Sequence, residues 1–169
     1  YNKYDIKLNL SGHMHIQHIE DRGVAEVVTS SLAVAPNHFA NIRYDKKSFR
    51  YWTESLEVYK VECFEKISRH EFDGVGQRQL LRLFKTYSFE NINESDIDKM
   101  GKTFVKMNEK YFAGEVFDTA GFEEGMKLWE EQPESFTSLY IRSILDSVYK
   151  DQNTFEVKLR KGKNGEVFR

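Results

Sequence analysis

The period of apolar and polar positions changes part-way along the chain. In residues 4–10, Tyr4, Ile6, Leu8 and Leu10 alternate with Asp5, Lys7 and Asn9, which places one set of side chains on each face of a strand. Ser11-Gly12 ends that strand, because glycine lets the backbone turn sharply. An apolar, β-branched run at 25–29 predicts another strand. After the break at Pro36-Asn37, residues 39–44 and 48–53 predict a hairpin closed by Asp45-Lys46-Lys47.

From about Leu56 the period lengthens to that of helices. Leu56, Tyr59, Cys63 and Ile67 share one helical face, and so do Leu80, Leu81, Phe84 and Tyr87. Ile97, Met100, Phe104, Met107 and Tyr111 step by three and four, with Ser95-Asp96 expected to cap the start. Phe122, Met126 and Trp129 form a shorter stripe between Gly121 and Pro133. Ser135 is expected to cap a last helix carrying Phe136, Leu139, Ile144, Leu145 and Val148 inward. Amphipathic segments with short polar links predict an α-helical bundle. The end reverts to strand: Phe155, Val157 and Leu159 alternate, and Asn164-Gly165 signals a turn before Val167-Phe168. The expected class is α+β, divided into strands at 1–54, a helical bundle at 55–150 and a β-hairpin or tail at 151–169.

Composition narrows the picture. The 169 residues are enough to bury a core, and 13 Phe, 9 Tyr and 2 Trp exclude a disordered chain. With 25 basic against 27 acidic residues, nothing draws the chain globally to a nucleic-acid polymer or an acidic membrane. The lone cysteine, Cys63, excludes an internal disulfide framework and reads as a small buried hydrophobe. No apolar run approaches the roughly 18 residues that span a bilayer. The start, YNKYDIKLNL, is neither a Met start nor a signal peptide, so a fragment or processed product is expected. Compartment, cytoplasmic or exported, and oligomeric state stay open.

The chemistry concentrates in Gly12-His13-Met14-His15, directly after the first strand. His-x-His spacing brings two imidazoles to one compact site, and neutral imidazole is a good ligand for zinc, iron, nickel or manganese. Gln17 comes next as a hydrogen-bond donor behind the ligands or a substrate contact, and His18 can point at the same site.

Residues 10–17, Leu-Ser-Gly-His-Met-His-Ile-Gln, resemble the last signature block of the calcineurin-like metallophosphoesterases. Val28-Thr29-Ser30-Ser31-Leu32, Pro36 and the strand at 39–44 resemble the stretch after that block in the cyclic-nucleotide phosphodiesterase-like branch. The resemblance implies the C-terminal strands of a β-sandwich, followed by the helical domain that some members of the branch carry. It also implies two divalent metal ions (Mn, Fe or Zn) and a metal-activated hydroxide attacking phosphorus. His13 would bind one ion and His15 the other. The substrate would be a small phosphate ester, a phosphodiester or phosphomonoester, with cyclic nucleotides as one candidate and a bacterial source expected.

The family's earlier Asp-x-His, Gly-Asp-x-x-Asp and Gly-Asn-His blocks do not occur in this sequence. Pro36-Asn37-His38 is the nearest imitation, lacks the glycine and is expected to be a turn. The resemblance therefore covers only about residues 4–53, and the chain alone is expected to be inactive. Two other readings stand beside it. One is a helical protein-interaction or oligomerisation module, motivated by the stripe from Ile97 to Tyr111; the other is a small mononuclear metal site of His13, His15 and His18.

The remaining features have plain structural accounts. His38 and His70 are isolated. Asp96, Asp98, Glu123 and Glu124 sit at expected helix starts, where acidic groups complement the helix dipole. Trp129 and Tyr140 read as core. Lys158, Arg160, Lys161 and Lys163 read as charges protecting a strand edge, and Gly74-Val75-Gly76 and Gly162-Lys163-Asn164-Gly165 as turns.

Overall fold

The computed structural model describes residues 6, 8–45, 47–56, 70, 74–76, 78–82, 92–132, 136–158, 160–161 and 167–168. Expectations placed on Tyr4, Asp5, Lys7, Lys46, Tyr59, Cys63, Ile67, Phe84, Tyr87, Pro133, Ser135, Leu159 and residues 162–165 lie outside them.

Three strands form the first sheet: β1 (Leu8–Ser11), β2 (His18–Asp21) and β3 (Ala25–Val28), in the order β1-β3-β2. β3 lies parallel to β1 and antiparallel to β2, so Leu10 faces Val27 and His18 faces Val28 in register. The strand β2 is not among the elements that the sequence pattern predicts. Its pattern is too short to announce itself, and pairing with β3 makes it a strand.

The predicted hairpin is present. β4 (His38–Tyr44) and β5 (Ser48–Ser55) pair antiparallel from His38 opposite Ser55 to Tyr44 opposite Phe49. Asp45 closes the turn by accepting hydrogen bonds at Oδ1 from the backbone of Lys47, at 2.6 Å, and of Ser48, at 2.7 Å.

The long stripe forms α1 (Glu94–Ala113), and two shorter helices come after it, α2 (Glu123–Glu130) and α3 (Phe136–Leu145). Asn93, rather than Ser95, caps α1. Its side chain accepts from the Asp96 amide while the Asp96 carboxylate accepts from the Asn93 amide, a reciprocal capping box. Met100, Phe104 and Met107 of α1, Trp129 of α2, and Ile141 and Ile144 of α3 share one apolar core. Leu139, expected inward, is 50% exposed, because Ile141 and Ile144 take the buried face. Residues 74–76 and 78–82 are also helical, which corrects the turn expected at Gly74-Val75-Gly76.

Beyond α3 the chain returns to the strands. β6 (Thr154–Lys158) pairs antiparallel with β5, giving a second sheet of order β4-β5-β6, and β7 (Arg160–Lys161) pairs with β8 (Val167–Phe168). Ile19 and Val27 of the first sheet pack with Phe49 and Tyr51 of the second in one buried cluster.

The expected class, sandwich strands followed by an α-helical bundle, is therefore corrected. The described residues are mixed α/β, built on two small three-stranded sheets, with helices inserted in sequence between β5 and its neighbour β6. The physical reason lies in lengths and edges. α2 and α3, with 8 and 10 residues, are too short to match the 20-residue α1 along its length, and the open edge of β5 recruits β6. Among the described residues no helix is long and apolar enough to cross a membrane.

Candidate functional site

The loop between β1 and β2 carries the histidines, and its two roots are fixed on the end of β3. At one root the Thr29 amide, one residue past β3, donates to the oxygen of Ser11, the last residue of β1, at 3.1 Å. At the other, the Ser30 amide donates to Oε1 of Gln17 at 3.2 Å. Between these anchors the backbone turns twice into the left-handed region, at His13 (φ 80°) and His15 (φ 60°). A side chain there brings Cβ against its own carbonyl and costs about 1–2 kcal/mol per residue. Histidine is one of the few non-glycine residues enriched in that region. His13, Met14 and His15 are all exposed, so the strain does not serve core packing.

Gln17 lies on the opposite side of the same loop, 1% exposed. Its Oε1 also accepts from the Tyr51 hydroxyl at 3.1 Å, and its Nε2 donates to the Gln152 backbone oxygen at 2.8 Å. Since the phenolic hydrogen goes to Gln17, Thr29 Oγ1, 3.2 Å away, donates to Tyr51. Burial pushes the Tyr51 phenol above its ordinary pKa, opposed by these two hydrogen bonds. The phenol is therefore a neutral structural donor.

His18 stands in β2 with Nε2 3.7 Å from Glu20 Oε2. Arg22 holds the exposed Glu20 carboxyl below the usual carboxylate range, first by a hydrogen bond and then by its charge, with smaller help from His18. Thus His13 and His15 share one exposed loop, Gln17 supports it from inside, and His18 faces Glu20. Among the described residues, no three His, Cys, Asp or Glu side chains gather into a group that could hold a metal ion.

Three supporting residues escape the sequence pattern. Tyr51 reads there only as part of a hairpin strand. Gly114 ends α1 in the left-handed conformation (φ 66°), and a Cβ on it would lie 2.5 Å from Cγ of Gln17. A glycine just past an amphipathic stripe is a helix-stop signal that could have been read. Gln152 donates its amide to the Gly114 oxygen at 2.8 Å and accepts at Oε1 from the Ile19 amide at 3.0 Å. Nothing in the local sequence announces that contact.

The junction thus joins the end of the helical segment to the root of the histidine loop. Residues 44–153, well over half of the chain, match the C-terminal domain of cyclic nucleotide phosphodiesterase. The chain belongs to that family. It is a phosphodiesterase-related domain, and the matched segment runs from the last residue of β4 through β5 and the helices to Asn153, the residue before β6. The match begins beyond His13, His15, Gln17 and His18, so it identifies the helical part and leaves the loop to be argued on its own geometry. No curated protein matches the chain.

Proposed function

We propose that this chain is the C-terminal part of a calcineurin-like, two-metal phosphoesterase acting on small phosphate esters, cyclic nucleotides among them. In this reading His13 and His15 each give one imidazole to a divalent ion, Mn, Fe or Zn. The observation that carries the reading is the pair of left-handed histidines on an exposed loop at the end of β1. Strain of this kind at solvent-facing imidazoles persists where a function requires the geometry. The donor chemistry fits, since imidazole suits such ions, but two imidazoles do not fill a coordination shell. No group of three such side chains stands among the described residues, so in this reading the remaining ligands lie beyond them. Bound ions would supply the Lewis acidity that phosphate-ester hydrolysis needs. The family of the helical part, a C-terminal domain of a phosphodiesterase, supports the reading independently of the histidines.

Gln17 acts here from behind the imidazoles, since among the described residues its bonds run to Ser30, Tyr51 and Gln152. Manganese titration of the chain tests the assignment. Weak binding is expected, and it should disappear in the His13→Ala/His15→Ala variant; equal binding by both would overturn the ligand role. The chain alone should not hydrolyse bis-nitrophenyl phosphate with added manganese, and metal-dependent turnover would contradict the incomplete site.

A further inference from the structure

We infer that Gln152 is a positioning residue for the loop at 12–16, coupling the end of α1 to the two histidines. The inference rests on the reading of His13 and His15 as functional groups. It begins from a single residue that grips the β2 side of the loop twice. The Gln152 backbone oxygen accepts from Nε2 of Gln17 at 2.8 Å, and its side-chain Oε1 accepts from the Ile19 amide at 3.0 Å. The two bonds bracket His18 and fix the exit of the loop two positions after His15. Gln152 is 3% exposed, so water does not compete for either bond.

Gln152 is itself held by the helix. Its amide donates to the Gly114 oxygen at 2.8 Å, and the neighbouring Asn153 donates from Nδ2 to the oxygens of Ala113 and Gly114 at 3.1 and 3.0 Å. The space where a Gly114 side chain would stand is filled by Gln17 and Gln152, with Cβ approaches of 2.5 Å and 3.1 Å. A shift of the α1 terminus must therefore move Gln152 and Gln17 together, and Gln17 roots the strained loop. The Gln152 Nε2 atom is buried with no hydrogen-bond partner among the described residues. What the side chain contributes to its neighbours is the acceptor alone, so a carboxylate of the same length should replace it.

The experiment uses the whole chain and needs no metal. In Gln152→Met, which keeps the volume and deletes the acceptor, amide hydrogen exchange across 15–19 should quicken roughly threefold to tenfold. The His13 and His15 imidazole signals in long-range proton–nitrogen spectra should shift as well. Gln152→Glu should restore both signatures even where its buried charge lowers the melting temperature. Loop signals unchanged in Gln152→Met, or changed equally in both variants in step with stability, would overturn the inference. If Gln152→Met does not fold, Gln152→Asn withdraws the same acceptor by one methylene and is read by the same criteria. Manganese titration of the same variants separates the two readings. Absent metal binding would sink the ligand role of the histidines while the exchange and imidazole data still decide the positioning.

Discussion

Gln17 donates from Nε2 to the backbone oxygen of Gln152 at 2.8 Å, across 135 positions of sequence. With the Ser30 amide and the Tyr51 hydroxyl on its Oε1, this buried side chain joins the segment just after β3, β5 and the segment leaving the helices. Gln17→Leu keeps the bulk and strips the bonds, leaving the half-buried Ser30 amide and the buried Gln152 carbonyl unpaired. Each orphaned group costs about 1–3 kcal/mol, so urea unfolding should show a loss of about 2–4 kcal/mol. A loss below about 1 kcal/mol would mean that the junction does not hold the fold.

The histidine loop should behave in the opposite sense. At an ordinary position glycine costs about 0.5–1 kcal/mol relative to alanine, but at a left-handed residue it relieves strain of a similar size. His15, at φ 60° and exposed, should therefore tolerate His15→Gly with unchanged or slightly higher stability. The same change should weaken manganese binding. A destabilisation above about 1 kcal/mol would indicate that the imidazole is bound into the fold, against a role in holding a ligand.

Glycines elsewhere separate into those that need their missing side chain and those that do not. A Cβ on Gly125 would lie 2.1 Å from Thr103 Oγ1 and 2.7 Å from the Lys99 oxygen, so α2 rests on α1 through this residue. Gly125→Ala should push the helices apart and cost about 1–3 kcal/mol. Gly12 has nothing within 4 Å of its Cβ position, and Gly12→Ala should change stability by no more than about 0.5 kcal/mol. Paired thermal melts of the two variants check both expectations, and equal losses would refute the packing argument.

How much of the molecule is legible in the sequence depends on how local each signal is. The hairpin of β4 and β5 and the buried stripe of Met100, Phe104 and Met107 depend on neighbouring residues, and both are where the pattern places them. The cap of α1 is misplaced by two residues, because Asn93 and Asp96 make a reciprocal pair that the Ser95-Asp96 dipeptide obscures. The bundle is wrong for a non-local reason. Periodicity tells a helix which face to bury, but it cannot say that β6 pairs with β5 across the intervening helices. The histidine motif is legible as chemistry. Its support from Tyr51, Gly114 and Gln152 is not, since that support exists only once the two ends of the fold meet.

The tyrosines of the helical core give a pH test. Burial, and secondarily the nearby Tyr111, pushes the Tyr140 phenol up from 10.0 to about 12. Its hydroxyl donates to Asn108 Oδ1 at 2.8 Å, a bond that only the protonated form can donate. Below pH 10 both folded and unfolded chains keep this proton, and it makes no pH dependence. Between 10 and about 12 the unfolded chain loses the proton while the folded chain retains it, so the folded state binds more protons and stability falls as pH rises. Burial raises Tyr51 and Tyr111 in the same direction. Tyr140→Phe should cost about 1 kcal/mol at pH 8 through the lost bond to Asn108. The gap from the parent chain should narrow towards pH 11, because one of the ionisations favouring the unfolded state is gone. Urea midpoints at pH 8, 9, 10 and 11 decide this. A gap that stays constant across the series would show that Tyr140 titrates alike in both states.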